Sequence, residues 1–128
     1  MKIEHFAFQV PDPVAFAAWY GEHLGMKTLR AIGAPTFTHF IEASDGATML
    51  EIYRNENAPI PDYPQQDPLV VHLGFASDDP EADMERLIQA GATRQAGPTT
   101  TAAGDVLIMM RDPWGFAIQM CKRAKPWK

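Results

Sequence analysis

The sequence predicts an α+β domain, residues 1–128, built from two successive βαβββ modules. Three observations predict it. Between residues 3 and 54 a strand, an Asp-Pro helix start, an apolar helix, a glycine and three more strands follow in order. Between residues 69 and 122 the same order returns. The two runs also overlay: His5-Phe6-Ala7-Phe8 on His72-Leu73-Gly74-Phe75, Asp12-Pro13 on Asp79-Pro80, and Met49-Leu50-Glu51-Ile52 on Ala117-Ile118-Gln119-Met120. Identities are few, so the weight rests on conserved order and spacing within the chain.

In module one, about 1–56, residues 3–10 are apolar and aromatic, as a strand requires. Asp12 reads as a helix N-cap with Pro13 at the first helical position. Val14, Phe16, Ala17, Tyr20 and Leu24 then recur at helical spacing, and Gly25 stops the helix. Strands are expected at about 26–32, 36–43 and 47–54, with Asp45-Gly46 turning between the last two. Residues 55–68 carry Pro59, Pro61, Pro64 and Pro68 and few apolar side chains. A surface linker, about 57–67, is the expectation, with a lid as the alternative.

Module two, about 68–128, opens on a strand at 69–76. Asp79-Pro80 starts a helix with an apolar stripe of Met84, Leu87, Ile88 and Ala90, stopped by Gly91. Strands follow near 93–96, 105–111 and 116–122, and Asp112-Pro113-Trp114-Gly115 turns between the last two.

Side chains alternate between the faces of a strand. Four strands then show one large apolar face: Phe6 and Phe8, Leu50 and Ile52, Leu73 and Phe75, Ile118 and Met120. The other face carries one central polar group in each: His5, Glu51, His72 and Gln119. A single buried imidazole or carboxylate needs only a hydrogen-bond partner. Four of them at equivalent points of two repeats point to a shared partner. A divalent cation fits, because imidazole and carboxylate together suit zinc, nickel, iron(II), cobalt or manganese. Gln119 would be a weak, neutral oxygen ligand, and water would complete the set. Taken one at a time, each histidine is more often a hydrogen-bonded structural residue than a ligand.

Composition excludes several classes. The chain is 46% apolar, enough for a core, and 21% charged with a net charge of -5, which disfavours nucleic acid and anionic membranes. The basic residues Lys122, Arg123, Lys125 and Lys128 read as a solvated tail. The single cysteine, Cys121, excludes an intrachain disulfide. Residues 1–5 carry no apolar leader, and no apolar run is long enough to span a bilayer, so a cytoplasmic protein is expected.

These residues resemble the vicinal oxygen chelate superfamily, the glyoxalase, bleomycin-resistance and extradiol-dioxygenase group. The resemblance rests on His5-Phe-Ala-Phe-Gln-Val-Pro-Asp-Pro, on the helix ending His-Leu-Gly-Met, on Met-Leu-Glu51-Ile, on Val-Val-His72-Leu-Gly-Phe and on Asp-Pro-Trp-Gly-Phe-Ala-Ile-Gln119. It implies a curved eight-stranded mixed sheet around a central cavity, with helices on the outer face. It also implies one divalent metal held from the first and last strands of each module, at His5, Glu51, His72 and Gln119. The glyoxalase I pattern ends in a glutamate where this chain has Gln119, an amide that cannot act as a base. That disfavours glyoxalase I activity and weakens the extradiol reading, which also uses a carboxylate there.

Two functions are expected from this. One is a small metal-dependent lyase, isomerase or dioxygenase acting on a substrate with adjacent oxygen atoms. In it Glu51 is a metal ligand or a proton shuttle, and Tyr53, two residues on, contacts substrate or packs the pocket. The other is a binding protein of the bleomycin-resistance type that sequesters a small molecule, with Trp19, Trp114 and Trp127 as stacking surface. The resemblance further implies a homodimer. His23 and His39 are left outside the site, the face of His39 being open, and Arg54 and Arg111 read as surface residues.

Overall fold

A computed structural model describes residues 1–127; Lys128, the last of the basic cluster, lies outside the described residues. The chain forms two compact units, Met1–Pro61 and Asp62–Lys128. Each is a βαβββ module with a four-stranded mixed sheet and one helix, so the described residues form an α+β fold with eight strands in two sheets.

In the first unit, β1 (Phe6–Gln9), α1 (Pro13–Leu24), β2 (Lys27–Ala31), β3 (His39–Glu42) and β4 (Met49–Tyr53) form a sheet in the order β1-β4-β3-β2. β1 runs parallel to β4, and the other pairs are antiparallel. The helix start follows the sequence: the Asp12 carboxylate accepts the Ala15 N–H at 3.0 Å, and Pro13 opens the first turn. Phe16, Ala17 and Tyr20 face the sheet, with Phe16 and Tyr20 stacked at 4.0 Å between ring centres. They meet Phe8, Ile41, Leu50 and Ile52, all buried. Each such aliphatic side chain contributes about 1.5–3 kcal/mol by leaving water.

The second unit repeats the plan. A short 3-10 turn (Tyr63–Gln65) precedes β5 (Leu73–Ala76), α2 (Pro80–Gln89), β6 (Thr93–Thr100), β7 (Val106–Arg111) and β8 (Ala117–Lys122), ordered β5-β8-β7-β6. Asp79 caps α2 through the Ala82 N–H at 3.1 Å. Leu87 is the helix's fully buried residue, against a core of Ile108, Met110, Phe116, Ile118 and Met120. The repeat extends to register. Ala7 stands opposite Glu51 on the parallel pair β1–β4, and Gly74 stands opposite Gln119 on β5–β8.

Several segments differ from the sequence expectation, among them the start of the third strand, which begins at His39 after a turn at 34–36. Residues 3–5 precede β1 instead of belonging to it. Residues 69–71 turn, with Leu69 and Val70 exposed, because Asp67 accepts the Leu69 N–H through its carboxylate and the Val70 N–H through its carbonyl. β6 continues through Pro98 to Thr100. It lies at the sheet edge, where a missing N–H costs no ladder bond, and register shifts absorb the proline.

Residues 55–61 are tied to the first unit and residues 62–68 to the second. The Gln9 side chain donates to the carbonyls of Asn55, Ala58 and Pro59 and accepts the Asn55 N–H. Tyr63 is buried edge-on against Phe116, 4.9 Å between ring centres. The guanidinium of Arg111, read from sequence as a surface group, donates to the carbonyls of Tyr63, Gly115 and Gln66 and to the Gln95 side chain.

Candidate functional site

The helix-free face of the first sheet carries a histidine–carboxylate pair. Glu51 sits mid-strand on β4, opposite Ala7 of β1 and Phe40 of β3. Buried Leu50 and Ile52 point to α1, so alternation turns Glu51, 23% exposed at its side chain, to the other face. His5 stands just before β1, with Nε2 3.1 Å from Glu51 Oε2. Its ring meets Phe40 edge-on, 6.2 Å between centres. Its Nδ1 bonds the Glu4 carboxylate. That hydrogen bond raises the His5 pKa above its usual value. Partial burial opposes the rise, and the negative charges of Glu4 and Glu51 add to it.

The second unit holds the equivalent pair at the equivalent register. His72 stands just before β5, and its Nδ1 lies 2.9 Å from the Pro68 carbonyl. A carbonyl only accepts, so Nδ1 is the donor, and in the neutral ring Nε2 is the nitrogen with the lone pair. Gln119 lies mid-strand on β8, between Gly74 and Met109. Its Oε1 accepts the Cys121 thiol at 3.2 Å. Burial pushes the Cys121 thiol pKa up; Arg123 pulls it down and Asp105 pushes it up by smaller amounts.

Thus the structure brings His5 and Glu51 into direct contact, and sets His72 and Gln119 on the corresponding positions of the second sheet. Among the described residues, no three His, Cys, Asp or Glu side chains stand close enough together to hold one ion. Tyr53 shares the face of Glu51 and is half-buried. His39, whose face the sequence left open, belongs to the buried side of β3, where its Nδ1 bonds the Phe37 carbonyl at 2.7 Å. His23 lies at the end of α1 beside Trp19.

Three participants escaped the sequence reading. Strict alternation would put Glu4 on the opposite face from His5, a rule that holds only inside a strand, and both residues precede β1. Phe40 became visible only through the β3–β4 register. The Pro68 carbonyl reaches His72 because residues 68–71 turn.

The His5–Glu51 geometry suits a divalent ion. Two ligands each about 2.1 Å from one ion and 3.1 Å apart subtend about 95°, close to the octahedral angle. His72 has a fixed tautomer with its other nitrogen bound to a carbonyl, the arrangement that orients ligating histidines.

The helices α1 and α2 are too short to cross a membrane, and no other described helix is long and apolar enough. No curated protein matches the chain. Solved structures share its fold. A glyoxalase family protein from Bacillus cereus is 13% identical, with a TM-score of 0.81, covering 98% of this chain and 95% of its own. TnmS3, an antibiotic binding protein from Streptomyces sp. CB03234, is 24% identical, TM-score 0.68, covering 97% and 99%. The fosfomycin resistance protein FosX from Listeria monocytogenes is 12% identical, TM-score 0.71, covering 100% and 95%. A family model matches residues 2–120, and the chain belongs to the glyoxalase/bleomycin resistance protein/dioxygenase superfamily.

Proposed function

We propose that the protein is a divalent-metal-dependent enzyme acting on a small molecule with adjacent oxygen atoms, with His5, Glu51, His72 and Gln119 as the metal donors. The observation that carries this reading is the contact of His5 Nε2 with Glu51 Oε2 at 3.1 Å, with His72 just before β5 and Gln119 on β8 at the corresponding positions of the second module. A bound divalent ion would polarise the substrate oxygens and stabilise negative charge that develops on them. Glu51, the one carboxylate of the donor set, also serves as the base that takes a substrate proton. Tyr53, on the same face, orients the substrate through its hydroxyl. Glu4 holds His5 by its Nδ1. Lyase, isomerase and dioxygenase chemistry all fit this donor set; glyoxalase I chemistry does not, for want of a second carboxylate at Gln119. A second copy of the chain is the proposed partner, since Phe6, Leu69 and Val70 leave apolar surface uncovered. Elemental analysis of protein purified without chelators tests the reading. We expect one equivalent of metal, retained or loadable with nickel, cobalt, manganese, zinc or iron(II). Failure to retain or load any of them refutes it.

One observation favours a second reading, binding and sequestration without catalysis. The Gln119 oxygen is already engaged by the Cys121 thiol. In that case ligand binding survives His5→Ala and His72→Ala, whereas the enzyme reading loses it in both.

A further inference from the structure

The second unit holds a cleft of about 700 Å3 at the far end of β5 and β8, beyond the pair described above. That volume lies within the range of small-molecule sites, roughly 300–1,000 Å3. Its floor is low because Gly74 and Ala76 of β5 project little or nothing into it, and Cys121 of β8 stands opposite Ala76.

One wall is the indole of Trp127, which is 81% exposed. One contact reaches the indole, and two more hold the segment that carries it. The Arg123 guanidinium lies 4.4 Å from the centre of its ring. That guanidinium is paired with Asp105 at 2.8 Å. The other Asp105 oxygen accepts the Ala124 N–H at 2.9 Å. The C-terminal segment read from sequence as a solvated tail is therefore bolted to the turn before β7. A large aromatic left in water forgoes the gain of burial, and here it is fixed beside a cleft. Arg123 is already neutralised by Asp105, and Lys122 and Asp78 on the rim balance each other in sign, so the cleft selects by shape and not by net charge.

We propose that this cleft is a binding site for planar aromatic or heteroaromatic small molecules, which stack on Trp127 over the floor of Gly74 and Ala76. The site stands on the second unit alone and requires no metal. Isothermal titration with naphthalene-2-carboxylate and with proflavine, against cyclohexanecarboxylate as a saturated control, tests it in the full chain. We expect a planar probe to bind and the control to bind more weakly. Trp127→Ala loses about tenfold in affinity, the cost of one stacked ring, while Trp127→Phe stays within about threefold. Ala76→Leu fills the floor and abolishes binding, and an unchanged melting temperature in the Trp127 variants shows that the fold is intact. The proposal is overturned if neither planar probe binds in the millimolar range, if cyclohexanecarboxylate binds as well, or if Trp127→Ala binds like the unmodified protein. Chelation of divalent metal leaves the stacking affinity unchanged, so this test and that of the metal reading fail separately.

Discussion

His5 Nε2 lies 3.1 Å from Glu51 Oε2 although the two residues belong to opposite ends of the first module. The parallel pairing of β1 with β4 makes this possible, because it sets Ala7 beside Glu51 and leaves His5 two residues upstream. If the pair holds a divalent ion, its two members are not equivalent to their neighbours. Glu51→Gln replaces an anionic ligand by a neutral one and is expected to weaken nickel(II) binding by more than about tenfold, judged against the 10–100-fold cost of losing even an outer partner. Glu4→Gln keeps an acceptor for His5 Nδ1 and should cost less. Competition titration against a metal indicator measures both. Equal losses would remove Glu51 from the ligand set.

Gln119 is the position where the two modules differ most in chemistry, an amide where the first module has a carboxylate. Gln119→Glu restores an anionic oxygen at the same register. Divalent-metal affinity is then expected to rise about tenfold or more, while Gln119→Ala changes it by less than about threefold, since a neutral amide oxygen is a weak ligand. The same titration checks it, and a fall in affinity in the glutamate variant would place Gln119 away from the metal.

The repeat was legible because its punctuation is local. Asp12-Pro13 and Asp79-Pro80 cap their helices through Ala15 and Ala82 at the offset the sequence implies. The pairing of polar residues was legible through alternation at Glu51 and Gln119, which are true mid-strand residues. It failed at Glu4, which shares the His5 side because no strand separates their directions there. Leu69 and Val70 looked like strand residues by apolarity alone, but Asp67 took the Leu69 N–H with its carboxylate and the Val70 N–H with its carbonyl in place of a ladder. The strand expected near 93–96 runs on through Pro98 to Thr100, because the edge position of β6 removes the cost of the missing N–H. Nothing local announced Arg111 as a clamp, because its partners are carbonyls from distant residues, which carry no side-chain signature.

Acid should destabilise the second unit through two carboxylates. Burial works to raise the pKa of Asp83, but the Ser77 hydroxyl, 2.6 Å away, and Arg86 together hold it below the usual value. Asp105 is held down first by the Ala124 N–H and then by Arg123. In the unfolded chain both ionise near a pKa of about 3.9. A group whose pKa is lower when folded binds fewer protons than in the unfolded chain, so its stabilisation is complete above the unfolded value. It is lost as pH falls through the folded one. These two groups are expected to leave the melting temperature unchanged above about pH 5 and to lower it below about pH 4. Asp105→Asn should lower the plateau and make the acid limb shallower. A limb of unchanged steepness in both Asp105→Asn and Asp83→Asn would show that other carboxylates control it.

Arg111 gives the sharpest stability prediction. Its guanidinium, at the end of β7, donates to the carbonyls of Tyr63 at 2.8 Å, Gln66 at 2.8 Å and Gly115 at 3.0 Å, and to Gln95 Oε1 at 2.8 Å. One side chain thereby ties the 3-10 turn, the β7–β8 turn and the edge strand β6 together. Arg111→Ala leaves three backbone carbonyls without this donor, at a cost of about 2–4 kcal/mol. Lysine keeps the charge but cannot reproduce the fork, so Arg111→Lys should recover less than half of the loss. Urea unfolding measures the size, and hydrogen exchange locates it. The amides of Gln65 and Gln66, which bond within the 3-10 turn, should exchange faster in both variants, while those of Leu50 and Ile52 in the first unit stay protected. Uniform deprotection of both units would instead mean that Arg111 sets global stability and not the docking of this turn.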